Sequence, residues 1–245
     1  AIVSVTIVAP ADPGSAGSVT LCETDAPVGL IGQLGGAPQA GGTWTNPSGQ
    51  AFAGVFDPSV HAAGNYTYTV QSPAPCAATS ATVTVSVSSL ANAGSDATLN
   101  LCTSSARQDL FGQLGAADTG GSWTGPSGAS FGGVFDPALH AAGTYTYSVN
   151  AAQPCPADQA TVTVAVLSVA DAGTNGSVAL CSSSPSEALF AHLGGTPDTG
   201  GQWYTPTGAP FNGTFVPGTH APGSYYYVQS APAPCVNDTG FVAVT

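Results

Sequence analysis

Lysine and methionine are absent from these 245 residues, and Arg107 is the only basic side chain besides four histidines. Thirteen carboxylates stand against it, so the formal net charge is −12 and only 6% of residues are charged. An ordinary soluble domain carries roughly 25%. With nothing to neutralise phosphates, neither nucleic acid nor an anionic membrane surface is expected as a partner. No apolar run approaches the roughly 18 residues of a membrane-spanning helix, so no membrane insertion is expected, and no signal-peptide core is present. Catalysis is equally short of material. There is no lysine, no G-x-S-x-G elbow and no flagged pair of carboxylates, so the chain reads as a non-enzyme. A chain this poor in Lys and Arg also offers trypsin-like proteases almost nothing to cut, which suits an exposed, extracellular life.

What is present is repetition. Hydrophobic residues make up 43% of the chain, with 32 glycines and 20 prolines, and they fall in a period of about 80 residues. Cysteines occur at Cys22 and Cys76, Cys102 and Cys155, Cys181 and Cys235, separated within pairs by 54, 53 and 54 residues. Trp44, Trp123 and Trp203 recur at intervals of 79 and 80, as do His61, His140 and His220. Each copy begins with a short strand ending in cysteine (SVTLC, ATLNLC, SVALC). It continues through an apolar stretch ending in glycine, then GG-x-W, a Pro-x-Gly turn and GVFDP or GTFVP. A glycine bend, an aromatic strand such as NYTYTV and a proline–cysteine loop lead to a closing strand such as TVTVSV.

Alternation of period two in β-branched and aromatic residues, broken by Gly and Pro, indicates strands and not helices. In TVTVSV, Val83, Val85 and Val87 face one way and the hydroxyls the other, as on an antiparallel sheet with one wet side. About seven short strands per copy point to a β-sandwich. The fold class expected is therefore all-β: three tandem immunoglobulin-like β-sandwiches at 9–88, 89–167 and 168–245. One feature departs from antibody-type domains, because Tyr66 and Tyr68 precede Cys76 by ten and eight residues, whereas the antibody tyrosine corner stands two residues before its cysteine.

Copies this small call for a staple. One disulfide inside each copy is expected, closing a loop of about 53 residues worth roughly 4 kcal/mol, and with it an oxidising, extracellular or periplasmic compartment. No C-x-x-C spacing suggests a metal.

Residues 1–8 (AIVSVTIV) align with 81–88, the closing strand of the first copy, and not with an opening strand. Three readings stay open. The chain is a piece of a longer tandem array; or Ile2, Val3, Val5 and Ile7 form an assembly strand that docks on an identical subunit, giving a head-to-tail polymer by strand addition; or the segment packs back on its own copy.

The words L-C, LGG, GG-x-W, P-S-G, FDP, A-A-G-x-Y-x-Y-x-V, P-C and T-V-T-V, in this order, resemble the tandem repeats of very large surface proteins of Bacteroidota. Those proteins are exported by the type IX secretion system and include gliding-motility adhesins. The resemblance spans essentially the whole chain. It implies a secreted, cell-surface, adhesive or filament-forming role without catalytic residues.

Candidate chemistry is sparse. His61, His140 and His220 each precede a glycine bend and read as turn caps, and His192 stands alone. Asp57 and Asp136 in FDP read as turn carboxylates before proline, and Val216 replaces them in the third copy. No cofactor is expected; Ca2+ at the inter-module junctions, with Asp96 and Asp171 as candidate ligands, is the one cation left open. The tryptophans read as core, as do the alternating tyrosines, while Tyr226 is the odd exposed aromatic. The function expected is a non-enzymatic structural and adhesive repeat protein, a segment of a bacterial surface stalk, fibre or filament, with neighbouring repeats or identical subunits as partners. The alternative is a tandem array binding polysaccharides or surface glycans, which an exposed row of Trp44, Trp123 and Trp203 would favour.

Overall fold

The computed structural model describes residues 1–245. Seven strands and one short 3₁₀ turn recur in every repeat. In the first they are β1 (Gly17–Cys22), β2 (Val28–Gly29), β3 (Thr43–Thr45), β4 (Ala51–Phe52), β5 (Val55–Phe56), β6 (Gly64–Val70) and β7 (Thr79–Ser88), with the turn Leu30–Gln33 after β2. One sheet has the order β1-β7-β6-β3-β4, and β2 pairs with β5 in a second sheet of two strands. The other two repeats reproduce both sheets in the same order. Neighbours are antiparallel with one exception: β1 runs parallel to β7, Gly17–Cys22 against Val83–Ser88. The same parallel pairing recurs as Ala97–Cys102 on Val162–Leu167.

The chain divides into two compact units. One contains Ala1–Gly94, Ala116–Ser122 and Tyr147–Ala160; the other contains Ser95–Gly115, Trp123–Thr146 and Thr161–Thr245. The first repeat lies wholly in one unit and the third wholly in the other, while the second is divided between them.

Each core follows from the alternation. On β7, Ala81, Val83 and Val85 are buried and the intervening hydroxyl residues are not. They meet Leu30 from the 3₁₀ turn, Phe56 from β5, Tyr66 and Tyr68 from β6 and Trp44 from β3 in one cluster fed by both sheets. Leu189, Trp203, Phe215, Tyr225, Tyr227, Val242 and Val244 form its counterpart in the third repeat. Gly42, the second glycine of GG-x-W, is held by sterics: a Cβ there would lie 2.6 Å from Tyr68 Cζ. Gly54 has φ +80°, and a Cβ would meet Trp44 Cδ1 at 2.8 Å, so the strap from β4 to β5 crosses the indole only as glycine.

The departure expected from antibody-type domains needs correcting. Tyr66 is 2% exposed and donates its hydroxyl hydrogen to Ala62 O, four residues upstream, at 2.8 Å. Tyr145 and Tyr225 do the same to Ala141 O and Ala221 O. That is the tyrosine-corner geometry. The position two residues on, where an antibody domain carries its second cysteine, holds Tyr68, and Trp44 packs against it at 5.0 Å. Tyr68 donates to Gln39 O and accepts from Gly42 N, so a tyrosine that ties down the β2–β3 loop stands where the bridge would be. Measuring from Cys76 hid the corner, because Cys76 does not belong to the core.

Burial raises the phenols of Tyr66, Tyr145 and Tyr225 above their usual value near 10. A folded-state pKa above the unfolded one stabilises fully below the unfolded value and loses that contribution as pH rises through the folded one. Denaturant midpoints of the oxidised chain are therefore expected to hold steady through neutral pH and to fall above about pH 10. The Tyr66→Phe chain should lose part of that alkaline drop while paying about 1 kcal/mol at neutral pH for the lost hydrogen bond.

Candidate functional site

The cysteines are where function and fold meet, and they do not pair as expected. Cys22 bonds to Cys155 and Cys102 to Cys235, each across 133 residues, with Cα–Cα distances of 4.9 and 5.1 Å. Cys76 and Cys181 are free thiols. The pairing inside each repeat is overturned by strand direction. Cys22 ends β1, and the parallel register sets it opposite Ser88 at the end of β7. Cys76 precedes the start of β7, and its amide donates to Pro73 O. Ten residues of β7 lie between the two levels, about 30 Å at 3.3 Å per residue. A disulfide spans a Cα separation near 5.5 Å, so bonding within a repeat is geometrically closed.

The thiol that does reach Cys22 comes from the proline–cysteine loop of the next repeat. Cys155 Sγ lies 3.2 Å from Ser88 O, and Ser88 Oγ donates to Gln153 O at 3.0 Å. Glu23 N donates to Ser88 O, and Glu23 Oε1 accepts from Leu90 N. The segment leaving β7 is thus pinned to β1 and to the incoming loop. Farther along the chain the construction repeats: Cys235 Sγ is 3.5 Å from Leu167 O, and Thr103 N donates to Leu167 O. Cys22, Cys102, Cys155 and Cys235 are all buried. Taken singly, each loop of this length constrains the unfolded chain by about 5 kcal/mol in the chain-entropy account.

Residues 1–8 belong to no strand and are exposed apart from Val8. Ile2, Val3, Val5 and Ile7 are between 81% and 100% accessible, so the segment does not pack back as an extra strand on the first repeat. Its last residue is nevertheless placed: the free Cys76 thiol donates to Val8 O at 3.4 Å, the relation that Cys155 Sγ has to Ser88 O.

The recurring histidines are turn caps. His61 Nδ1 accepts from Asp57 N at 2.9 Å, His140 Nδ1 from Asp136 N at 2.8 Å and His220 Nδ1 from Val216 N at 2.9 Å. The third repeat keeps the cap with no carboxylate beside it, so the interaction is with backbone and no Asp–His dyad is involved. Each ring is wedged between two phenylalanines, Phe52 and Phe56 in the first case. The Asp57 carboxyl accepts from Ser59 Oγ and Ser59 N, which hold it below the usual carboxylate range. Asp136 is lowered by the Ala138 amide first and then by Arg107, whose Nε lies 2.8 Å from it. His192 Nε2 is 2.8 Å from Glu187 Oε1.

Of the candidate calcium ligands, Asp96 accepts from Thr161 N and Thr161 Oγ1, and Asp171 accepts from Gly173 N. No three His, Cys, Asp or Glu side chains are grouped so as to hold a metal ion. Trp44, Trp123 and Trp203 are only 6–7% exposed, and Tyr226 is accessible on its sheet face. What the sequence did not single out is the second tyrosine of each Y-x-Y as a loop tether. The signal available was the pair of glycines before each tryptophan, which leave room for a ring.

His61→Ala should orphan the part-buried Asp57 amide, cost about 1 kcal/mol and speed hydrogen exchange at Asp57. His61→Asn, whose side-chain oxygen can accept the same bond, should restore most of the protection, as read by amide exchange.

No protein-family model and no curated protein sequence matches the chain. Solved structures do resemble it. The titin I-band fragment I67–I69 superposes with a TM-score of 0.54 at 12% identity, covering 98% of this chain and 99% of that one. An E-to-A variant of the same three titin domains gives 0.52 at 10% identity with the same coverage. At such identity the likeness establishes the fold: the chain is a tandem of immunoglobulin-like β-sandwich repeats.

Proposed function

We propose that the chain is a segment of an extracellular stalk, fibre or filament at a bacterial surface, of the kind formed by the Bacteroidota repeats that it resembles, and that its work is structural and adhesive and not enzymatic. The observation that carries this reading is the path of the two disulfides. A bond inside one sandwich would brace that sandwich alone. Bonds from β1 of one repeat to the loop of the next instead tie consecutive repeats to each other. Tension applied along the chain then passes through the covalent ties and bypasses residues 23–101 and 156–234, which hold most of the first and third repeats. Such bonds persist in an oxidising compartment, which agrees with a secreted location. Neighbouring repeats or identical subunits are its partners. The glycan-binding alternative called for an exposed row of tryptophans, and these indoles are core residues.

Single-molecule stretching tests the proposal. Under oxidising conditions the taut covalent path runs from residue 1 to Cys22, across to Cys155, back to Cys102, across to Cys235 and on to residue 245. That path is about a third of the extended length of the whole chain. Reduction should lengthen the fully unfolded chain about threefold. Equal lengths with and without reductant would remove the mechanical argument.

A further inference from the structure

The outer face of the five-stranded sheet differs between repeats along one row. In the first repeat Thr45, Thr67 and Thr82 stand side by side there on β3, β6 and β7, with Ala51 beyond them on β4. The second repeat has Thr124, Thr146 and Thr161 at the same positions. The third has Tyr204, Tyr226 and Phe241, and Pro210 extends the row onto the next strand. Neighbouring strands of this sheet thus carry a strip about 14 Å long and one residue wide.

These rings are not part of the core. Trp203, Tyr225, Tyr227 and Val242 fill it from the opposite face of the same strands. Tyr225 and Tyr227 donate their hydroxyl hydrogens to Ala221 O and Asp198 O, while the hydroxyls of Tyr204 and Tyr226 have no partner in the chain. Tyr226 is 38% exposed and leans on Phe241 at 6.1 Å and 59°, so the strip is corrugated. Thr124, Thr146 and Thr161 are accessible too, in a repeat that has a neighbour on either side, so this row meets solvent within an array. The flanking rows are uncharged, with Gln202 and Thr239 on one side and Ser224 and Ser177 on the other.

We propose that this strip, in the third repeat alone, is a binding site for a neutral linear polysaccharide. A pyranose presents C–H groups on its flat faces and hydroxyls around its edge. The ring faces of the strip take the first, and the free phenols with the flanking amide and hydroxyls take the second. A face without charge, in a chain of net charge −12, selects against acidic glycans. Width decides against a second copy of the chain as the occupant. A stable protein interface buries about 800 Å² on each side, which rings in single file do not supply. Corrugation suits one hydrated chain better than the flat surface of a crystal. Because the other repeats carry threonine, the site is single, unlike the repeated tryptophan array set aside above. It gives the adhesive part of the proposed function its ligand class, and so rests on that part, while owing nothing to the disulfides.

The test runs the full oxidised chain on native gels containing hydroxyethylcellulose, galactomannan or arabinoxylan, with polygalacturonate as the acidic control. At least one neutral polymer should retard the wild type, and the acidic one should not. Tyr226→Thr should weaken binding about tenfold, and the chain combining Tyr204→Thr, Tyr226→Thr and Phe241→Thr should lose it. Threonine is what the first two repeats fold with at these positions, so circular dichroism should show the sandwich intact. Undiminished retardation of the triple variant would mean that the rings only brace the sheet, and would overturn the proposal. So would a wild type that no neutral polymer retards, or one that polygalacturonate retards equally. Self-association of the wild type that the triple variant loses, without retardation, would make the strip a protein contact and overturn it as well. Extension under tension is read separately, so any of these failures leaves the structural function standing.

Discussion

The parallel pairing of β1 with β7 is the constraint on which the remainder depends. Because β1 runs alongside β7 in the same direction, its terminal cysteine arrives at the finish of β7 and the loop cysteine stays at the start. The two sulfurs of a repeat are held a strand-length apart. Each can be satisfied only by a neighbour, and repetition supplies one: the loop cysteine of the following repeat. The disulfides therefore link consecutive repeats as a consequence of strand direction, with no special recognition needed. An antiparallel first strand would have brought both cysteines of a repeat to the same level and left the repeats joined by peptide alone.

Moving the sulfurs out of the sandwich obliges the interior to hold itself by other means. It does so with paired tyrosines. Tyr66 closes the bend before β6, and Tyr68 lies under Trp44 while its hydroxyl serves both Gln39 O and Gly42 N. Large rings fill a small core well, and both hydroxyls find backbone partners. No side-chain nitrogen or oxygen is left buried without a hydrogen bond. Charge plays little part, since the sole guanidinium, on Arg107, is 70% exposed where it meets Asp136, a position in which an ion pair is worth little.

Much of this was legible in the residues. The period of the cysteines and tryptophans gave three repeats, and the alternation in TVTVSV gave both the strand and its buried face. The turn role of His61, His140 and His220 followed from their place before a glycine bend. The disulfide partners were misread for a definite reason. Spacings of 54, 53 and 54 residues make an intra-repeat loop look natural, and one-dimensional spacing does not say whether the first strand runs parallel or antiparallel to the last. The tyrosine corner was missed through the same assumption, because it was sought two residues before a cysteine that stands outside the core. The role of Tyr68 was hidden for another reason: a residue that replaces a bridge leaves no motif of its own. The lack of strand structure in residues 1–8 was equally out of reach, since AIVSVTIV has the alternation of a strand.

Disulfide mapping tests the central claim most directly. The chain, purified without reductant and with free thiols capped, is digested with pepsin at low pH, where thiol–disulfide exchange is suppressed by protonation of the thiolates. Mass spectrometry of the linked peptides should recover Cys22 with Cys155 and Cys102 with Cys235, and the cap on Cys76 and Cys181. Peptides joining Cys22 to Cys76, Cys102 to Cys155 or Cys181 to Cys235 would contradict it, and with it the account of repeats tied to one another through β1.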